Sequence, residues 1–335
     1  MTEAAPLRWG VIGASSQVAV KAVVPAILAS PAACLAAVAS QRPEGPPMSP
    51  CRHAYRSYAA LLEDHDVEAV YVPLPNSLHR EWVERAAAAG KHVLCEKPLA
   101  TTASDARAMA SACEAAGVTL LEAYMTPFHP RAAAIDALLR ARRLGALRFA
   151  RLAFTGMLTR PDDHRWRPEM GGGALLDLGV YCLAPLLAAA GRSPVRVEAA
   201  ATVTPSGVDV SFSGWLDFGE GFTAAIECSF EAPERQSLEI VGTEAAVSVD
   251  RAFTPGAGDV GFSLRRRDGA VEDIMAGGTD PYRAMIEHFG QVVRAGVPPR
   301  RSVGDAVGVL AVVDRLRAAA GLPRAPTSSP RSSAR

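Results

Sequence analysis

A lysine directly after a buried strand needs a task or a partner, because an unpaired ammonium taken out of water is costly. This chain places one in Gly90-Lys91-His92-Val93-Leu94-Cys95-Glu96-Lys97-Pro98-Leu99-Ala100, where Lys97 follows a short apolar run. Glu96 is the nearest partner, and a structural Glu–Lys pair suits these residues as well as a catalytic lysine does. A second segment reads Gly171-Gly172-Gly173-Ala174-Leu175-Leu176-Asp177-Leu178-Gly179-Val180-Tyr181. Three glycines ahead of a helix let the backbone come very close to a ligand. Asp177 and Tyr181 are four residues apart and share a helical face. In an apolar helix they would usually form a hydrogen-bonded core pair. Beside a lysine, the phenol is instead a proton-transfer group whose pKa of about 10 an adjacent positive charge lowers.

Two further segments suit a dinucleotide. The first apolar run ends in Gly13-Ala14-Ser15-Ser16-Gln17. These small residues allow close approach to a pyrophosphate, and the helix that follows points its N-terminus at the phosphates. The glycine pattern is degenerate, and a plain tight turn explains it nearly as well. The second strand ends in Ala39-Ser40-Gln41-Arg42, with no acid before Glu44. An acid there binds the ribose of NAD, whereas Ser40 and Arg42 suit a 2′-phosphate. NADP(H) is therefore favoured over NAD(H), with a solvated Arg42 as the competing explanation. Pro73-Leu74-Pro75-Asn76-Ser77-Leu78-His79 follows another strand, so it joins the Lys97 segment on the ligand edge.

The elements that position these residues are legible from periodicity and breakers. Strands are expected at Leu7–Ile12, Cys34–Ala39, Glu68–Val72, His92–Cys95 and Val118–Leu121. Helices are expected up to Ser30, near Ser57–Glu63, at Leu78–Ala89 and at Thr102–Ala116, with four prolines and a glycine forcing a loop through Gln41–Pro50. Strand–helix alternation means a parallel sheet covered on both faces. From about residue 125 the pattern changes. A helix near Arg131–Arg142 and another at Ala174–Ala190 precede seven β-like runs: Val195–Val203, Val208–Phe218, Gly221–Phe230, Ser237–Val241, Ala246–Val249, Gly261–Arg267 and Val271–Ile274. They read as a mostly antiparallel sheet. Two helices, Pro281–Ala295 and Val303–Ala320, precede a Pro/Ser/Arg-rich tail expected to be disordered. The fold class is α/β, with a dinucleotide-binding domain over 1–124, a substrate and oligomerisation domain over 125–322 and a tail over 323–335.

Composition narrows the function. In 335 residues, 35 Lys and Arg balance 35 Asp and Glu. That argues against a nucleic-acid binder and gives no long-range pull to anionic membranes. No run is read as long and apolar enough to span a bilayer, and no secretory signal is evident. The six cysteines form no Cys-x-x-Cys pair, and none sits at metal-ligand spacing, so no metal is expected and the thiols read as reduced and cytoplasmic.

With these segments in hand, the chain resembles the glucose–fructose oxidoreductase, inositol dehydrogenase and rhizopine-catabolism (Gfo/Idh/MocA) family. The matching blocks are Trp9–Gly13, Pro75-Asn76-x-x-His79, Gly90–Ala100 and Gly171–Tyr181, and the likeness covers most of 7–320. It implies a Rossmann domain, a second domain with a large open sheet, a bound nicotinamide cofactor, and homodimers or homotetramers built through that sheet. Tyr181, where many members carry His, and Asp250–Pro255 resemble the branch of sugar and diol dehydrogenases and nucleotide-sugar ketoreductases, most of which prefer NADP. Two departures stand out: the Pro-rich Gln41–Pro50 replaces the usual helix, and Pro127 stands where relatives often carry Arg. The family also implies a cis peptide before Pro98 in some members.

The resulting expectation is a hydride transfer between NADP(H) and a carbohydrate. Tyr181 is the acid/base, Lys97 the stabilising charge and Asp177 the group that orients substrate or Lys97. Leu74, Pro75, Asn76, His79, Glu96 and Pro98 lie toward the nicotinamide. His129, Trp166, Arg167 and Tyr282 are assigned to the substrate rim, though Trp166 suits a core equally. Arg160, Arg165 and Arg167 are candidates for a nucleotide-sugar diphosphate. The rival is a non-catalytic NADP-binding sensor on the same fold.

Overall fold

The computed structural model describes residues 5–42, 45 and 50–326. Its first sheet uses β1 (Leu7–Ile12), β2 (Ala33–Ala39), β3 (His53–Tyr55), β4 (Ala69–Val72), β5 (His92–Glu96) and β6 (Leu120–Ala123). All pairs are parallel, in the order β3-β2-β1-β4-β5-β6. Strands covered on both faces are expected to be apolar throughout. In β4 every residue is buried, and Trp9 and Val11 of β1 are fully enclosed. The strand order reverses beside β1, which puts the first turn and the loops after β4 and β5 on one edge. Helices α1 (Val24–Ala29), α2 (Tyr58–Leu62), α3 (His79–Ala88) and α4 (Ala103–Ala115) connect the strands. Thr102 caps α4 by accepting from the Asp105 amide at 3.1 Å.

The second sheet has eight strands: β7 (Leu147–Thr155), β8 (Arg196–Val203), β9 (Asp209–Asp217), β10 (Thr223–Ser229), β11 (Arg235–Gly242), β12 (Ala245–Asp250), β13 (Val260–Arg266) and β14 (Val271–Ala276). Its order is β14-β13-β12-β11-β7-β10-β9-β8. Every pair is antiparallel except β7 with β10. The sequence analysis did not expect β7 or β3. In β7, arginines alternate with apolar residues: Arg151 is exposed while Ala150 and Leu152 are buried. Helices α5 (Pro130–Arg140) and α6 (Val180–Ala190) belong to this half, with α6 packing on β7 and β10.

The last two helices, α7 (Pro281–Ala295) and α8 (Val303–Ala319), return to the first half. Phe289 of α7 packs on Trp9 with ring centroids 4.9 Å apart. Arg294 pairs with Glu68 at 2.6 Å, and Asp314 of α8 accepts from the Ala103 amide at 3.1 Å. The tail expectation holds less far than written. Residues 323–326 form no helix or strand, but Ala325 is buried and Thr101 donates to Pro326 O at 2.7 Å. The rest of the tail, Glu44 and most of the Pro-rich loop lie outside the described residues.

One expectation needs correcting. The helical segment Pro168–Ala190 has the length and mean hydropathy, 1.7, of a membrane span. Two thirds of it is buried within the fold, as a core helix is, because it lies between the second sheet and α8.

Candidate active site

Lys97 leaves the end of β5, and its peptide bond to Pro98 is cis. Its ammonium donates to Asp177 Oδ1 at 2.7 Å and to Asp177 O at 2.9 Å. It also lies 4.7 Å from the centre of the Tyr181 ring. The two residues read as sharing a helical face therefore both meet the lysine. Residues Leu175–Gly179 form a π-type turn that runs into α6, an irregularity frequent at functional sites. The Gly171–Gly173 approach is enforced. A Cβ on Gly172 would lie 2.3 Å from Arg165 O, and Gly173 has φ +119° with its Cβ position 2.1 Å from Asp209 Oδ1.

Arg165 completes the ionic chain. Its Nε donates to Asp177 Oδ2 at 2.8 Å, and its Nη1 reaches Asp163 Oδ2 at 3.2 Å. Lys97 and Arg165 together hold the Asp177 carboxyl far below the usual carboxylate range, against the effect of its burial. The sequence analysis offered Arg165 for a diphosphate. The structure commits it to Asp177, with Asp163 as a second acid that no local pattern marked.

Tyr181 departs from its expectation. Burial pushes its phenol well above the ordinary value, and Tyr282, Glu96 and Asp177 push the same way. The nearby ammonium, itself paired with Asp177, does not outweigh that burial. The Tyr181 ring packs against Tyr124 and Phe154, at 5.4 and 5.3 Å between centroids. Its hydroxyl has no hydrogen-bond partner among the described residues and is not sealed from solvent. Tyr282 faces the same group, its phenol raised to about 12 chiefly by burial and then by Glu96.

The remaining candidates divide into those at the ligand edge and those that build it. Asn76 donates to Gly171 O at 2.8 Å and so joins the first-half loop to the glycine segment. Glu96 takes the Tyr71 hydroxyl at 2.5 Å and the Lys97 amide at 3.1 Å, so its partner is not the Lys97 ammonium. Its carboxyl is raised by burial. His79 does not line the nicotinamide side. It is fully buried, with Nε2 2.8 Å from Leu74 O and Nδ1 3.0 Å from Pro98 O. Burial lowers its pKa and the facing carbonyls act the other way; the neutral ring sits between the two loops and donates to one carbonyl only. His129 is likewise not on the rim: fully buried, it caps α5 by accepting from the Arg131 amide at 3.1 Å. The indole N–H of Trp166 is spent on Arg160 O at 2.8 Å, and its ring stands edge-on to Phe230. Arg167 is exposed and has no acidic partner among the described residues. Sequence reasoning missed Glu122, which accepts from the Leu99 amide at 2.9 Å and pairs with Arg301 at 3.0 Å. From β6 it links the Lys97 loop to Arg301, just ahead of α8.

The first turn fits a dinucleotide. Gly13 has φ +72°, and its Cβ position lies 2.7 Å from Leu74 Cδ2, so only glycine is accommodated. Ala14 is enclosed, and Ser15 Oγ bonds Ser40 Oγ at 2.7 Å. Ser40 is itself buried, so it closes the turn against β2 while Arg42 stands exposed beyond it. No described carboxylate occupies the end of β2, where an NAD ribose would require one. A cavity of about 750 Å³ lies elsewhere, lined by Ile135, Leu139, Leu187 and Val309 among others, and it borders this site at Tyr124, Phe253 and Arg301.

Comparison with known proteins agrees with this geometry. Residues 7–124 match the GFO/IDH/MocA model described as an oxidoreductase family with an NAD-binding Rossmann fold, and residues 132–248 match the GFO/IDH/MocA C-terminal domain. The chain is 37% identical over 317 residues to D-xylose 1-dehydrogenase (NADP(+)) 2 of Haloferax volcanii, covering 92% of this chain and 96% of that one. It is 38% identical over 334 residues to dTDP-3,4-didehydro-2,6-dideoxy-alpha-D-glucose 3-reductase of Streptomyces violaceoruber, covering 94% and 96%. Among solved structures, KijD10, a 3-ketoreductase from Actinomadura kijaniata in complex with NADP and TDP-benzene, superposes with a TM-score of 0.85 at 32% identity, covering 94% and 98%. With both sheets, the Lys97 segment and the glycine-rich segment accounted for, the chain belongs to the Gfo/Idh/MocA family of oxidoreductases.

Proposed function

We propose that this chain reduces a keto group on a nucleotide-activated sugar, with NADPH as the donor and Tyr181 as the proton source. It is an NADP-dependent oxidoreductase acting on carbohydrate CH–OH groups, as its relatives are, and the sensor alternative is not favoured. The reductive reading is supported by the likeness to 3-ketoreductases, together with a Tyr181 phenol whose ring centre lies 4.7 Å from the Lys97 ammonium. At neutral pH such a phenol is protonated and stands ready as an acid. NADPH held at the ligand edge would supply a hydride to a keto carbon. Tyr181 would give its proton to the keto oxygen and regain one from solvent.

Lys97 spends two of its three N–H groups on Asp177, which fixes its direction and leaves the third for the substrate oxygen. Arg165 keeps Asp177 ionised, so the lysine's orientation does not depend on substrate. Tyr282 offers a second phenol to a sugar hydroxyl, and Arg167 an uncommitted charge to a diphosphate. Tyr181 beside Lys97 supports reading the chain as one of the branch with tyrosine at the acid/base position. Oxidation of a free aldose is the second reading, favoured by the likeness to the xylose dehydrogenase.

The test follows the NADPH absorbance band in two assays, one with a TDP-activated 3-keto sugar and NADPH, the other with D-xylose and NADP. Consumption of NADPH in the first, lost in Tyr181→Phe, is expected. Turnover confined to the second overturns the ketoreductase reading in favour of an aldose dehydrogenase. A homodimer or homotetramer joined through the outer face of the second sheet is part of the proposal. That face leaves Phe149 exposed and Trp215 half-buried in the single chain. All six cysteines are free, which suits a cytoplasmic protein.

A further inference from the structure

The second half touches the first turn through one guanidinium. The Gln17 side-chain amide faces the Arg160 guanidinium; with its oxygen turned toward Arg160, the orientation the donors require, it accepts from Nη1 at 2.7 Å and from Nη2. Arg160 belongs to a strap, residues 156–166, secured at both ends. Gly156 and Leu158 donate to Ser229 O and Phe230 O at 2.9 and 3.0 Å, and Trp166 holds Arg160 O while packing on Phe230. The strap is therefore fixed to the second sheet but delivers its charge to the dinucleotide turn.

That charge has no acidic partner. Arg160 makes no ion pair among the described residues, and a side-chain amide is a neutral partner for it. Beside it, the Ser15 amide has no acceptor among the described residues. Free amides at the start of a helix after the first Rossmann strand mark where a pyrophosphate lies. A planar guanidinium matches phosphate oxygens two at a time. The geometry points to Arg160 as a clamp on the cofactor's pyrophosphate, supplied by the second half and parked on Gln17 until the anion arrives. This rests on the NADP(H) reading. The clamp recognises the pyrophosphate and not the 2′-phosphate, and it governs how long the cofactor stays rather than the chemistry.

The test measures dissociation constants for wild type, Arg160→Gln and Arg160→Lys, each with its melting temperature recorded. NADPH is titrated by fluorescence. 2′-Phospho-ADP-ribose, which has the pyrophosphate but no nicotinamide, and adenosine 2′-monophosphate, which has neither, are measured by competition. Arg160→Gln is expected to weaken the first two by about 10- to 100-fold and leave the third within about twofold. Arg160→Lys, which keeps the charge without the fork, falls between. Unchanged affinities in Arg160→Gln overturn the clamp and leave a purely structural strap. Equal weakening of all three ligands overturns it too, because the effect would then lie at the adenosine end. A wild-type protein that binds none of the three overturns the cofactor reading and the clamp with it.

Discussion

Asp177 and Asp209 each bind a cation from a distant part of the chain, and each braces the segment that begins α6. Yet the first is held below the ordinary carboxylate range and the second is pushed above it. Burial acts on both in the same direction. The difference lies in the partners. Asp177 has Lys97 at 2.7 Å and Arg165 at 2.8 Å. Asp209 takes the Leu175 amide at 2.8 Å, but its cation, Arg317, stands 3.5 Å away, and Arg317 Nε is buried without a partner. Two close cations outweigh desolvation, while one distant cation does not. On the proposed function the doubly paired acid serves the chemistry and the under-paired one the scaffold.

Mutations can break that contrast. The largest effect is expected from Asp209→Ala, which strands a buried Arg317 and the Leu175 amide. Unfolding free energy should fall by about 3–5 kcal/mol in denaturant titration, with kcat of the folded protein nearly unchanged. Asp177→Asn should differ in its readout. Turnover should drop by about 10²- to 10³-fold because Lys97 loses its fixed direction, and stability should fall as well, since the ionised carboxylate that pairs Lys97 and Arg165 is gone. If both variants lose mainly stability, the two acids do not differ in role.

Gly173→Ala probes the point where the glycine segment meets Asp209. Positive φ and the clash with the carboxylate should cost about 2–3 kcal/mol, read as a lowered melting temperature. The pH dependences should oppose each other. The depressed Asp177 pKa adds stability that is complete above about pH 4 and is lost as pH falls further, and Asp177→Asn should remove that acid slope. The raised Asp209 pKa loses stability as pH climbs from about 4 through its folded value, a slope Asp209→Asn should remove. Arg317→Lys should be mildest, within about 1 kcal/mol, since it loses the bond to Pro323 O together with the unpartnered Nε.

The first turn, the Lys97 segment and the glycine segment were legible because each joins a backbone requirement to a reactive residue within a dozen positions. Gly13 and Gly173 take positive φ, and the spacing of Asp177 and Tyr181 puts both on Lys97. What escaped the sequence depends on partners far along the chain. Asp177 was expected on either substrate or Lys97, but how deeply Tyr181 is buried depends on distant rings, so the phenol was expected to go down and instead goes up. His79 and His129 are of a type that often serves catalysis, but only their neighbours show them tying loops and capping a helix. Among the strands, β7 was missed because its outward arginines mask the buried residues between them.

The return of α7 to the first sheet has a consequence for how the protein is made. Trp9 lies in β1, made long before α7, and its ring gains its aromatic cover only when synthesis reaches Phe289. Until then the nucleotide-binding half carries an open apolar flank, although such halves elsewhere fold as independent units during translation. A fragment ending near residue 124 should therefore be sticky and poorly folded. The two functional halves cannot be expressed apart and mixed, as they could in a protein whose halves each finish their own core.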